Sequence, residues 1–85
     1  MADTAFYNDP ISVSASIDEA GKIAPHSFTW QGKLYKLTAV GRQWETDEGR
    51  HVLVESATGD RFELQLSRTD LLWRLKRAWQ EKFLA

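Results

Sequence analysis

The stretch 28–40, F-T-W-Q-G-K-L-Y-K-L-T-A-V, limits the possible folds more than any other part of this chain. A Gln31-Gly32 pair between two runs of aromatic and branched residues is the signature of a tight antiparallel turn. With that pair as the loop, Trp30 stands opposite Lys33 and Phe28 opposite Tyr35. Phe28, Trp30, Tyr35 and Leu37 then share one face and Thr29, Leu34 and Lys36 the other, because side chains alternate across a strand. A hairpin with one aromatic face has to cover that face with further strands, so the expectation is a mainly β domain built around it.

The flanking segments supply those strands. Residues 11–17 alternate strictly, with Ile11, Val13, Ala15 and Ile17 on one side and three serines on the other, as a half-buried strand does. Residues 18–21 form a turn, and Pro25, which donates no ladder hydrogen bond, puts the next strand on an edge or delays its start. Residues 1–10 carry little pattern and are expected as a flexible N-terminal segment. They precede a single small β domain over 11–79 and a C-terminal tail over 80–85. Gly41 interrupts the alternation after Val40, which marks a bulge or a bend, so the second half of that strand is expected to face differently from the first.

Residues 51–56 and 61–66 fit together through the three-residue loop Ala57-Thr58-Gly59. Ser56 then opposes Asp60, Glu55 opposes Arg61, Val54 opposes Phe62 and Val52 opposes Leu64. A slip of one residue would set Glu55 against Phe62, so this register is strongly preferred. The last segment, 71–85, is rich in helix formers, and Leu72, Leu75, Trp79 and Phe83 fall near one helical stripe. As a strand it fits equally directly. If 67–70 is a four-residue turn, Leu66, Leu64 and Phe62 oppose Leu71, Trp73 and Leu75, while Glu63 meets Arg74 and Arg61 lies near Lys76.

Composition narrows the chemistry. Eighty-five residues suffice for one domain, and the absence of cysteine excludes disulfides and thiolate metal sites. Two histidines alone do not complete a tetrahedral metal site, so no metal or other cofactor is expected. No apolar run is long enough for a membrane span, and the first ten residues lack the basic start and apolar middle of a secretory signal, which implies a cytoplasmic location. A net charge of −1 gives no general attraction to nucleic acid, although Arg68, Arg74, Lys76, Arg77 and Lys82 gather near the end of the sequence.

The order of these residues resembles an uncharacterised family of small bacterial proteins, notably actinobacterial. Its pattern runs F-x-W-x-G-[KR]-x-Y, a later tryptophan, an [FY]-E-L strand and a closing W-x-L-x-R-x-W. Phe28, Trp30, Gly32, Lys33 and Tyr35 match the first motif, Trp44 the isolated tryptophan, and Phe62, Glu63 and Leu64 the third. Trp73, Leu75, Arg77 and Trp79 match the last. This chain has a short turn at 46–50 where relatives often carry a longer aromatic insert, and it continues past the final tryptophan where they commonly stop. Relatives have a branched residue at the position of Ala78, which favours a final strand over a helix. The resulting expectation is an antiparallel meander of about six strands curled into a small, partly open barrel. The resemblance further implies an accessory protein rather than an enzyme, with some members encoded near translesion-type DNA polymerase components, hence a DNA-repair setting.

The residues give no separate indication of catalysis. His51 and Glu55 stand roughly 13 Å apart along a strand, and neither a phosphate-binding glycine loop nor a nucleophile elbow is present. Two binding surfaces are conceivable. Lys33, Lys36, Arg42, Trp44, Arg74, Lys76, Arg77 and Trp79 would form a basic surface with exposed aromatics, the composition that holds single-stranded nucleic acid. Leu72, Trp79, Phe83 and Leu84 exceed what one buried face needs and would instead contact a protein partner or a second copy. A noncatalytic interaction domain with protein partners is the primary expectation, and nucleic-acid binding the alternative.

Overall fold

The computed structural model describes residues 2–81. Six antiparallel strands follow one another in order: β1 (Ala2–Ile17), β2 (Ile23–Trp30), β3 (Lys33–Thr46), β4 (Gly49–Ser56), β5 (Arg61–Ser67) and β6 (Trp73–Glu81). Each pairs with the next, and β1 returns to pair with β6, so the meander closes into a barrel. Two long strands make this possible. β1 pairs with β6 through its first part, up to Ile11, and with β2 from Ser12 onward. β3 pairs with β2 over Lys33 to Lys36 and with β4 from Leu37 onward.

The two hairpins read from turn chemistry take the expected registers. Phe28 pairs with Tyr35 and Trp30 with Lys33, around Gln31 and Gly32, both at positive φ. In the second, Val54 pairs with Phe62 and Val52 with Leu64, and the Ser56 N–H donates to the Asp60 carbonyl. The last segment is a strand, and the barrel is closed rather than partly open.

Phe28, Trp30, Tyr35, Val52, Val54, Phe62, Leu64, Leu75 and Ala78 form the core. Phe28 and Tyr35 stack with ring centroids 4.9 Å apart, and Phe62 meets both edge-on, the arrangement that ring quadrupoles favour. Burial pushes the Tyr35 phenol above its ordinary pKa, with the Asp60 carboxylate adding to the effect. Because the folded value is raised, this part of the stability is complete below about pH 10 and is lost as the pH rises through the folded value. Tyr35→Phe is therefore expected to flatten the alkaline limb of a plot of urea midpoint against pH. An unchanged limb would contradict this assignment.

Residues 2–10, for which the sequence suggests a loose end, are instead ladder partners of β6. Tyr7 packs against the core and meets Trp30 edge-on, and Asp9 accepts a 2.9 Å hydrogen bond from the indole N–H of Trp30. That bond satisfies a buried donor, and the segment's absence of pattern reflects a bulge between Phe6 and Asp9. A second shift, between Ser14 and Ala15, breaks the strict alternation. Ile11 and Val13 reach the core, whereas Ala15 and Ile17 are exposed.

The register of β6 also differs from the sequence reading. The β5–β6 connection is longer than four residues: the Ser67 N–H donates to the Leu72 carbonyl, and Leu66 pairs with Trp73 and Leu64 with Leu75. Beyond this, Lys76 is an extra residue, since Glu63 and Leu64 are adjacent on β5 while their partners Arg77 and Leu75 are two apart on β6. Glu63 therefore meets Arg77 rather than Arg74, Phe62 meets Ala78 rather than Leu75, and Arg61 faces Trp79 rather than Lys76.

Candidate interaction surface

Bulges decide what the outside of this barrel carries. On β3, Val40 and Gln43 oppose Val54 and Val52, so three steps on one strand match two on the other around Gly41 and Arg42. An extra residue inverts the facing of everything after it. β3 carries two such shifts, one between Leu37 and Ala39 and one between Val40 and Gln43, and together they return Trp44 to the outward face of Lys36, where it pairs with His51. On β6 the single extra residue, Lys76, does invert the facing. The motif residues Trp73, Leu75, Arg77 and Trp79 would all lie on one face of a regular strand, but the first two point into the core while Arg77 and Trp79 point out.

The outer face of β3, β4, β5 and β6 thus acquires three cross-strand rows. One runs Trp44, His51, Gln65, Arg74; the next joins Leu53, Glu63, Arg77 and Phe6 of β1; the third joins Ala39, Glu55, Arg61, Trp79 and Thr4 of β1. The middle of this face is occupied by a buried polar chain. His51 Nδ1 lies 2.7 Å from one Glu63 oxygen, and Arg77 Nε donates to the other at 2.5 Å. A carboxylate only accepts, so Nδ1 carries the proton and, in the neutral ring, Nε2 accepts from the Thr46 hydroxyl at 2.8 Å. Trp44 stacks on the imidazole, with centroids 5.2 Å apart and planes 10° from parallel. Arg42 lies 5.4 Å from the Trp44 ring centre, and Arg77 lies 4.7 Å from that of Trp79.

Hydroxyl, imidazole and carboxylate stand here in the order of a nucleophile relay. Glu63 is, however, shared with Arg77, and the Thr46 oxygen also accepts from the Glu48 N–H. The concavity of this face lies elsewhere. It measures about 480 Å³ and is lined by Ala39, Val40, Gly41, Leu53, Arg61 and Trp79 among others. The network holds Trp44 through His51 and Arg77 through Glu63, and Arg77 in turn lies against Trp79 at the edge of the concavity. Gly41 is what leaves room there: its φ is ordinary, and a Cβ would meet Leu53 at relaxed distances of 3.6 and 3.8 Å. A side chain at position 41 would fit the backbone without strain.

Of the residues singled out for nucleic-acid binding, Arg42, Trp44, Arg74, Arg77 and Trp79 converge on this face. Lys33 and Lys36 stand on the part of β3 paired with β2, and Lys76 sits at the bulge with its ammonium on Asn8. Most of the converging cations are already matched: Arg74 with Asp70 at 2.7 Å, Arg77 with Glu63, and their neighbour Arg61 with Glu55 at 3.7 Å. Arg42 has no carboxylate partner among the described residues. Of the residues expected at a protein contact, Leu72 is exposed in the β5–β6 connection and Trp79 borders the concavity near the opposite end of β6. Phe83 and Leu84 lie outside the described residues.

Hydrogen bonds from Arg74, then from the Leu72 N–H, hold the Asp70 carboxyl well below the ordinary carboxylate range. A depressed folded value means stability that is present above about pH 4, the unfolded range, and lost as the pH falls further. Asp70→Asn is thus expected to cause a small, constant drop in urea midpoint above pH 5 that vanishes on acidification. A drop of the same size at pH 2 as at pH 6 would assign the effect to something other than this ion pair.

Among the described residues there is no cluster of three His, Cys, Asp or Glu side chains placed to hold a metal, and no helix long and apolar enough to cross a membrane. One protein family matches the chain, a domain of unknown function, DUF6504, over residues 1–80. No curated protein and no solved structure matches it.

Proposed function

The chain belongs to the DUF6504 family, whose function is unknown, and on that premise we propose that it is a noncatalytic interaction module that seats a protein segment in the outer concavity. The observation that carries this reading is an apolar hollow beside a tryptophan, kept open by a glycine that the backbone does not require. Its volume lies within the range of roughly 300–1,000 Å³ typical of ligand sites. Charge defines the occupant further. Arg42 is without a carboxylate partner among the described residues, and Arg61, largely exposed, holds Glu55 only loosely. An apolar side chain seated on Leu53 against Trp79, followed by an acidic residue, satisfies both features.

Single-stranded nucleic acid fits less well. Stacking bases need free ring faces, and phosphates need uncompensated cations. Here Trp44 already has His51 and Arg42 against it, Trp79 has Arg77, and three of the arginines are paired with carboxylates.

Random heptapeptides displayed on phage, selected against the wild-type domain and then tested on Gly41→Leu, check the proposal. Enriched sequences should combine an apolar residue with Asp or Glu, and the variant, folded as judged by circular dichroism, should bind them at least tenfold more weakly. Peptides that bind both proteins equally would overturn the assignment of the hollow. So would tight binding of a dT12 oligonucleotide at 150 mM salt, read by tryptophan fluorescence.

A further inference from the structure

Beyond Lys36 the two strands of the central hairpin part company. β2 pairs with β3 only as far as Lys36, and from Leu37 onward β3 is held by β4 on one side alone. Farther along, Gln43 closes the gap with its side chain: its amide nitrogen donates to the Ile23 carbonyl at 2.5 Å, and its oxygen accepts from the Ile23 N–H at 3.4 Å. Between these two points Thr38, Ala39, Val40, Gly41 and Arg42 are all exposed, a run that includes both faces of the strand. The backbone groups that face away from β4 there have no ladder partner among the described residues. The run carries neither an acid nor a proline, the usual means of blocking an edge.

We propose that the β3 edge pairs with the β3 edge of a second copy of this chain, giving a two-fold dimer with a continuous sheet across the interface. A two-fold axis at Val40 sets the strand antiparallel to itself, with Val40 opposite Val40, Ala39 opposite Gly41 and Thr38 opposite Arg42. No like charges meet, and the small residues leave room above the strand. Arg42, which has no carboxylate partner among the described residues, then extends over Ala39 of the other copy toward Glu55, the ladder partner of Ala39. That carboxylate is only loosely held at home, 3.7 Å from Arg61. Symmetry makes two such pairs. The segment is short and its two ends are bulged, so the contact belongs with the small interfaces of transient complexes. A Kd on the order of 10–100 μM is expected.

Sedimentation velocity from 10 μM to 1 mM tests this with Arg42→Glu, Glu55→Arg and the double exchange. Both substitutions fall at exposed or half-buried side chains. Each single variant should weaken the dimer about tenfold, and the double variant should return to within about threefold of the wild type. A wild-type chain that stays monomeric at 1 mM overturns the proposal, as does a dimer whose Kd does not recover in the double exchange. The edge and the concavity share Ala39, Val40 and Gly41, but the two readings fail separately, because peptide binding is read at concentrations where the chain is a monomer.

Discussion

Gly49→Ala is expected to leave little folded protein, with a destabilisation of more than about 4 kcal/mol, a size reserved for a few definable mechanisms. Gly49 opens β4 at φ 144°, a conformation that residues with a Cβ rarely adopt. A Cβ built there would sit 2.1 Å from the Leu66 carbonyl oxygen and 2.9 Å from the Arg68 nitrogen. Both obstacles are backbone and neither can swing aside. They are also where the β3–β4 turn leans on the β5–β6 connection, with the Arg68 N–H donating to the Glu48 carbonyl. Relief would pull the two turns apart and expose the end of the core. Against a total stability of about 5–15 kcal/mol for a domain of ordinary kind, circular dichroism of Gly49→Ala at 25 °C should show a largely unfolded chain. A cooperative melt within a few degrees of the wild type would show that the turns are not so tightly opposed.

Glu63→Gln should have the next largest effect, about 2–3 kcal/mol in urea unfolding. Removing one member of a buried ionic network generally costs about 3–5 kcal/mol, because the remaining partners stay desolvated. The lower figure applies because Arg77 keeps about a third of its side chain in water (34%) and can turn outward. His51 has no such escape, being 5% exposed beneath Trp44. The same substitution should alter Trp44 emission, since the imidazole that stacks on it loses its anchor. A change below about 0.5 kcal/mol, with an unaltered spectrum, would mean that the network does not hold the outer rings.

The parts of this fold that could be read from residues are those set by local chemistry. Gln31-Gly32 and Gly59 specify their turns, and the registers of β2 with β3 and of β4 with β5 follow from which residues then meet. The β5–β6 connection misled because its reversal uses Leu71, a non-glycine residue at φ 59°, for which no composition rule exists. The bulges at Gly41 and Lys76 are cooperative properties of the closed barrel. Gly41 signalled a break without fixing how many residues it added, and nothing marked Lys76. Trp79 owes its outward position to Lys76, so its exposure was not open to periodicity, whereas the two shifts in β3 cancel and leave Trp44 on the face that simple alternation from Tyr35 assigns it.

The His51–Glu63 contact, by contrast, was within reach. The spacing of His51 from Glu55 concerns a single strand, whereas the register that pairs Val52 with Leu64 already places His51 opposite Gln65 and diagonal to Glu63. Diagonal neighbours on one face are close enough for long side chains to touch.

Joining the first strand to the last has a consequence for how the protein is made. A ribosome releases β2 through β5 with Phe62 and Leu64 uncovered, and the seam that hides them forms only when β6 has emerged to meet Tyr7 and Ile11. Contacts so distant along the chain form late, and an intermediate with bare apolar strands is prone to aggregation and capture by chaperones. Translation halted before Trp73 should accordingly yield nascent chains that are digested rapidly by protease, and release past Trp79 should make them resistant within a single step.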